Sequence, residues 1–234
     1  EIALIMLGGV NYYTGQVFDF EIITKLAHSK GITVGFDLAH AAGNIKLELH
    51  NWEVDFAVWC SYKYLNSGPG SVAGAFIHEK HHKANLPRFA GWWGHNKEER
   101  FKMPDKFNPI DSAEGWQLSN PPILSLAAIR ASLSIFDEVG MDKLVLKSKK
   151  LTDYLVFLLN SIETERIEII TPKERGCQLS IRVRNGDKKL FDSITVKGVI
   201  ADWREPDVIR IAPIPLYNSF QDVFKFYTIL EEEL

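Results

Sequence analysis

The hydrophobic pattern of the chain switches repeatedly between strand-like and helix-like periods. Ile2–Leu7 is an unbroken apolar run, the pattern of a strand covered on both faces. Phe20–Lys30 follows helical spacing, with Ile22, Ile23, Leu26 and Ala27 on one face and Gly31 as a stop signal. Ile32–Phe36 is a short apolar run ending at Asp37. Val54–Cys60 is another, and Val72–Ile77 a third after the glycine-rich Ser67–Gly70. Strand–helix–strand alternation predicts an α/β fold with a parallel or mixed sheet covered by helices. Such sheets gather ligands at the carboxyl ends of their strands. Asp37 and the group Ser61-Tyr62-Lys63 both fall just past predicted strand ends.

Between Glu79 and Asn120 the periodicity fades, although Trp92, Trp93, Phe101, Phe107 and Trp116 lie there. A long irregular stretch inside a compact fold is usually functional or interfacial. Packing beneath the loop is the ordinary use of such aromatics. Pro121-Pro122 then opens a helix to about Phe136, interrupted at Gly140. A second amphipathic helix spans Asp142 to about Ile162 with Leu144, Leu151, Leu155 and Leu158 inward. Strands are predicted at Ile167–Ile170, Gln178–Val183, Val199–Asp202 and Val208–Ala212. A last helix starts at Ser219, where Asp222 completes a capping box. The division expected is a large α/β domain over residues 1–137 and a small α+β domain over residues 138–234.

Composition narrows the partners. Hydrophobic residues make up 46% and charged residues 24%, ordinary for a globular protein, which excludes disorder, collagen-like repeats and coiled coil. A formal charge of −3 gives no general pull toward nucleic acid or an anionic membrane. The apolar runs are too short to cross a bilayer. Cys60 and Cys177 sit far apart in strand-like segments, so no disulfide framework is expected and a reducing, cytoplasmic compartment fits.

Three motifs carry candidate chemistry. His78-Glu79-Lys80-His81-His82 matches H-E-x-x-H, which binds zinc only on a helix. Here a strand pattern precedes it and Pro87 soon follows, so a solvated strand exit is the better account and no metal is expected. Gly68-Pro69-Gly70-Ser71-Val72-Ala73-Gly74 precedes a strand, whereas a dinucleotide fingerprint follows one. The third is the set Asp37, His40 and Lys63. Singly, each has an ordinary role as a cap, a hydrogen bonder or a solvated ammonium. Together they fit pyridoxal 5'-phosphate chemistry, which needs a lysine for the Schiff base and a carboxylate against the pyridine nitrogen. Asp37, closing a buried strand, is expected to be partly shielded and to want a cationic partner.

Longer blocks around these residues carry a family resemblance. Val34-Gly35-Phe36-Asp37-Leu38-Ala39-His40-Ala41 and Trp59-Cys60-Ser61-Tyr62-Lys63-Tyr64-Leu65-Asn66 resemble the kynureninase family. So do Gly91-Trp92-Trp93-Gly94-His95, Leu118-Ser119-Asn120-Pro121-Pro122, Arg210-Ile211-Ala212-Pro213 and Pro215-Leu216-Tyr217-Asn218-Ser219. The resemblance runs along essentially the whole chain. It implies a fold-type-I PLP-dependent transferase-like architecture, a mixed, mostly parallel sheet covered by helices with a small C-terminal α+β domain. It further implies a homodimer that hydrolyses L-kynurenine, and 3-hydroxykynurenine likewise, to an anthranilate and L-alanine. On these residues Lys63 is the lysine that joins the cofactor, Asp37 pairs with its ring nitrogen, and Tyr62 binds its phosphate and serves in proton transfer. His40 lies near the ring, and Trp92 and Asn120 contact cofactor or substrate. Arg210 holds the substrate α-carboxylate, with Asn120 and His40 beside the substrate.

Two other readings stand beside this one. The chain opens on Glu1 directly into a strand pattern, as the downstream part of a longer protein would, and such a piece could keep only folding and partner contacts. A fold-type-I lyase such as a cysteine desulfurase shares the architecture but needs a nucleophilic cysteine on a mobile loop. Cys60 and Cys177 are both expected in strands, which argues against it.

Overall fold

The computed structural model describes residues 1–184 and 188–234, which group into two compact units. Neither unit is one continuous stretch: the first takes Glu1–Gly9, Asp19–Ala42 and Leu47–Ser134, and the second takes Val10–Phe18, Gly43–Lys46 and Ile135–Leu234.

The first unit is built on four strands, β1 (Leu4–Gly8), β2 (Thr33–Asp37), β3 (Phe56–Trp59) and β4 (Gly74–Ile77), in that spatial order. β1–β2 and β2–β3 are parallel and β3–β4 is antiparallel, so the sheet is mixed and mostly parallel. β2 is central. Val34, Gly35 and Phe36 are all buried, as a strand covered on both faces requires. Gly35 is glycine for a packing reason: a Cβ there would lie 2.2 Å from the Phe56 ring.

Helix α1 (Phe20–His28) starts on Asp19, whose carboxylate accepts the Ile22 N–H at 2.9 Å. Its buried stripe is Phe20, Thr24 and Ala27. Ile22 and Leu26, expected inward, are exposed. Phe20 decides the rotation, stacking on Trp52 with ring centroids 5.1 Å apart and packing on Phe36 at 4.6 Å. Thr24 tolerates burial because its hydroxyl donates to the Phe20 carbonyl at 2.7 Å. β1 also departs from expectation. Among the described residues it pairs only with β2, so Leu4, Met6 and Leu7 are exposed rather than buried.

The amino edge of this sheet is tied by Asp55, immediately before β3 and only 5% exposed. One carboxylate oxygen accepts from His81 at 2.8 Å and Lys80 at 2.9 Å, the other from His28 at 2.8 Å and the Val34 N–H at 2.7 Å. The end of α1, the start of β2 and the turn after β4 thus meet on one anion. Burial opposes its ionisation, but the bonds from His28, Val34, His81 and Lys80 outweigh that and hold the carboxyl well below the usual range.

Residues 79–120 contain short 3-10 turns at Glu79–His81, Trp92–Gly94, Arg100–Lys102 and Ala113–Trp116. Three of them take part in guanidinium–indole stacking, Arg88 over Trp116 at 3.8 Å and Arg100 over Trp93 at 4.5 Å. Helix α2 (Ile123–Val139) follows, and Gly140 takes φ +82° where a side chain would be strained.

The second unit contains α3 (Met141–Asn160), β5 (Ile167–Ile169), β6 (Leu179–Val183), α4 (Lys189–Val196), β7 (Asp202–Arg204), β8 (Val208–Ile211) and α5 (Phe220–Glu233). Its strands form an antiparallel sheet in the order β5-β6-β8-β7. Leu144, Leu151, Leu155 and Leu158 of α3 are buried as their spacing predicts. The capping box is present: Ser219 Oγ accepts the Asp222 N–H at 3.2 Å and Asp222 accepts the Ser219 N–H at 2.8 Å. α4 goes unseen in the sequence pattern, because its β-branched Ile194-Thr195-Val196 reads as strand. Consequently the strand expected at Val199–Asp202 begins only at Asp202; Gly198 at φ +91° and the Val199 N–H to Ile194 carbonyl bond spend Val199–Ala201 on leaving the helix. No helix among the described residues is long and apolar enough to cross a membrane.

Asp55→Ala removes the acceptor of a buried N–H and of three side chains. It is expected to cost about 1–3 kcal/mol, the penalty of buried groups left unpaired, read as a lower urea midpoint at pH 7. Because the folded carboxyl titrates below its unfolded value of about 4, this contribution is complete above that pH and lost as pH falls beneath it, so the two midpoints converge in acid.

Candidate active site

β2 and β3 run parallel with Asp37 in register with Val58, so the chain leaves both strands at the same edge of the sheet. After β2 the backbone turns at once. The Leu38 N–H bonds the Val58 carbonyl at 2.8 Å, and the Ala41 and Ala42 N–H groups bond the Leu38 carbonyl. Asp37 Oδ1 caps this turn by accepting the Ala39 N–H at 2.8 Å. The carboxylate is exposed, not shielded, because it lies beyond the buried part of β2.

The segment after β3 is held as a rigid loop. Ser61 Oγ donates to the Val72 carbonyl at 2.6 Å, and Ser67 returns both its N–H and its hydroxyl to the Ser61 carbonyl. Ser132 of α2 donates to the Leu65 carbonyl. Asn66, Gly68 and Gly70 take positive φ at 55°, 83° and 77°, so the glycine-rich stretch serves the turns of this loop. Within it Lys63 is half-buried, and its Nζ lies 3.2 Å from His40 Nε2. An ammonium has no lone pair, so a charged Lys63 donates and Nε2 accepts. The His40 ring stands edge-on to Tyr64 at 5.9 Å. Tyr62 is 53% exposed, and the neighbouring Cys60 pushes its phenol up from the ordinary value, first by charge and then through their hydrogen bond.

Trp92 and Asn120 belong to a second group. Gly94 N–H bonds the Gln117 carbonyl at 2.9 Å, and a Cβ on Gly91 would lie 2.1 Å from the Leu118 Cα, so the Trp92 turn rests against the stretch that leads to Asn120. Trp92 is 45% exposed, with Trp93 and Phe101 edge-on at 5.1 and 5.9 Å. Asn120 is exposed and accepts from the Ser119 hydroxyl at 3.1 Å. Among the described residues no hydrogen bond or ring contact joins Trp92 or Asn120 to Lys63.

Arg210 lies on β8 in the second unit, opposite Ser180 and Asp202. Its guanidinium pairs with the Asp202 carboxylate and donates to the Tyr12 carbonyl at 2.6 Å. The orienting role of Asp202 escapes sequence reasoning; the signal is its place directly across the ladder from Arg210.

The histidines of H-E-x-x-H are committed elsewhere. His78 is buried, stacks on His50 at 4.8 Å and accepts the Lys80 N–H, while His82 meets the Ile77 carbonyl at 3.0 Å. No cluster of three metal-ligating side chains occurs among the described residues. Both cysteines are free and neither sits inside a strand: Cys60 follows β3 and Cys177 precedes β6. Cys177 is buried, and that burial pushes its thiol up to about 12.

Residues 144–230 match the family model for the kynureninase C-terminal domain. The chain is 59% identical to a kynureninase of Flavobacterium psychrophilum and 57% identical to one of Myxococcus xanthus, each over 99% of this chain. Those two relatives are kynureninases. The chain spans 56% and 55% of the lengths of those two kynureninases. Among solved structures it is similar to the cysteine desulfurase CsdA of Escherichia coli, with a TM-score of 0.82, 15% identity, and cover of 99% of this chain and 59% of that one. It is also similar to a C-DES mutant with glycine covalently linked to the PLP cofactor, with a TM-score of 0.83, 16% identity, and cover of 98% and 60%. The shared architecture is that of fold-type-I PLP enzymes.

The two thiols separate by accessibility. A thiol reagent at pH 8 is expected to modify Cys60 in the folded protein and to reach Cys177 only after denaturation, as peptide mass spectrometry reports; modification of Cys177 in the native state contradicts its burial.

Proposed function

We propose that the protein to which this chain belongs hydrolyses L-kynurenine to anthranilate and L-alanine, and 3-hydroxykynurenine likewise, using pyridoxal 5'-phosphate. The observation that carries this reading is the 3.2 Å approach of Lys63 to His40 beside Asp37 at one sheet edge, in a chain 59% identical to a kynureninase.

The donor set fits the cofactor. It contains a primary amine on a rigid loop, an exposed carboxylate on the adjacent strand end, an imidazole against the amine and an exposed phenol on the residue before the lysine. When bound, the cofactor supplies an electron sink for a carbanion at the substrate α-carbon. Asp37 pairs with the pyridine nitrogen and keeps it protonated. Lys63 would hold the cofactor covalently and would move the proton at the substrate α-carbon. His40 receives a hydrogen bond from Lys63 and sets the amine at the ring, close to the substrate. Tyr62 binds the cofactor phosphate, and its raised phenol pKa keeps it a proton donor at neutral pH. Trp92 and Asn120 contact cofactor or substrate. Arg210, oriented by Asp202, holds the α-carboxylate with a two-pronged guanidinium. The overall change is addition of water across the Cβ–Cγ bond next to the ketone.

A homodimer fits the apolar side chains that residues 86–124 leave in solvent, with Phe89, Phe101, Met103, Ile123 and Leu124 each more than three-quarters exposed. A cytoplasmic location fits two free thiols. A cysteine desulfurase reading is disfavoured, since Cys177 is buried and the likeness to those enzymes extends to the fold alone.

The test is anthranilate release from L-kynurenine, followed by fluorescence, with borohydride reduction in parallel. Reduction in the presence of the cofactor should fix one pyridoxyl mass on Lys63. Lys63→Ala should lower turnover by at least about 10²–10⁴-fold, the range for loss of a positioned acid–base group. Alanine released from cysteine instead of kynurenine, or an adduct on another lysine, overturns the proposal.

A further inference from the structure

Within the second unit a chain of hydrogen bonds runs from a buried amide to Arg210. It passes through residues 10–18, which belong to this unit. Residues 11–16 close a tight turn: Asn11 Oδ1 accepts the Tyr13 and Thr14 N–H groups at 2.9 Å each, and the Asn11 N–H bonds the Gln16 carbonyl at 2.8 Å. Gly15 takes φ +78°, and a Cβ there would lie 3.2 Å from the Gln178 carbonyl oxygen, so the turn rests on the residue that precedes β6. The Val17 N–H bond to the Glu174 carbonyl at 2.9 Å ties down its far side.

Two buried side chains hold the carbonyls of this turn. Gln178, 1% exposed, donates through Nε2 to the Tyr12 carbonyl at 3.1 Å and to Ser180 Oγ at 3.2 Å. Ser180 in turn donates to the Tyr13 carbonyl at 2.5 Å. Both N–H groups of the Gln178 amide are thereby spent, and the flipped amide would set oxygen against the Tyr12 carbonyl oxygen. That carbonyl has a second lone pair, which accepts from Arg210 at 2.6 Å, while the other end of the guanidinium pairs with Asp202. One N–H on each terminal nitrogen of Arg210 fixes the plane of the group, and one on each is left for a carboxylate. The Arg210 side chain keeps 12% of its surface open.

We propose that Gln178 is a positioning residue for substrate binding: it holds the Tyr12 carbonyl, and through it sets the Arg210 fork at the angle that receives the substrate α-carboxylate. The proposal rests on the kynurenine reading above, in which Arg210 takes that carboxylate. In this role Gln178 touches neither substrate nor cofactor, so its effect falls on carboxylate recognition and not on cleavage of the Cβ–Cγ bond.

The test is kinetic, in the protein to which this chain belongs. Gln178→Met keeps the side-chain length and removes both donors. KM for L-kynurenine is expected to rise about tenfold or more, the scale of a hydrogen bond to a charged group, with kcat held within about twofold. Inhibition by the decarboxylated analogue of kynurenine, which lacks the α-carboxylate, should be unchanged. Ser180→Ala, which loosens the same amide, should raise KM likewise and serves where Gln178→Met does not fold. Beside Arg210→Met either substitution should add nothing further, because the group being positioned is gone. An unchanged KM in the folded variants, a matching loss of analogue binding, or a KM effect that persists beside Arg210→Met would each overturn the proposal. A wild-type protein that releases no anthranilate overturns the kynurenine reading itself, and with it the ligand assigned to Arg210.

Discussion

The parallel pairing of β2 with β3 is the constraint on which the candidate site depends. Parallel neighbours deliver their carboxyl ends to one edge, and the register of Asp37 with Val58 fixes how far apart the two exits begin. The turn after β2 then carries His40 toward the loop after β3, where Lys63 waits. The register itself rests on packing. Gly35 leaves room for the Phe56 ring, and Val34 and Phe36 are fully buried on either side of it. A one-residue slip would turn those side chains to the opposite faces and carry Asp37 away from the loop.

The two edges of this sheet divide the work. At the amino edge Asp55 collects His28, Lys80, His81 and the Val34 N–H, so its donors are spent on holding α1, β2 and the turn after β4 together. At the carboxyl edge Asp37 spends one oxygen on its own turn and stays exposed. A carboxylate saturated with donors is a structural anchor, while one with unused lone pairs and access to solvent remains available to a ligand. Both aspartates neighbour strands of the same sheet. Their hydrogen-bond partners and their exposure tell them apart.

Much of this was legible from residue pattern. Asp37 and Lys63 past successive strand ends, the buried leucines of α3 and the Ser219–Asp222 cap follow from periodicity and local chemistry. What stayed hidden depends on distant packing. The rotation of α1 is set by Phe20 stacking on Trp52, which no helical spacing reveals. The exposure of Leu4 and Met6 reflects a strand paired on one side among the described residues. α4 was masked by its β-branched residues, and the partnership of Arg210 with Asp202 needs the sheet register.

The most direct test of the central claim is a crystal structure of the protein grown with pyridoxal 5'-phosphate. The account predicts density continuous with Lys63 Nζ and a pyridine nitrogen within hydrogen-bond distance of an Asp37 carboxylate oxygen. A ring seated elsewhere, or one that meets Lys63 while its nitrogen faces away from Asp37, would contradict it.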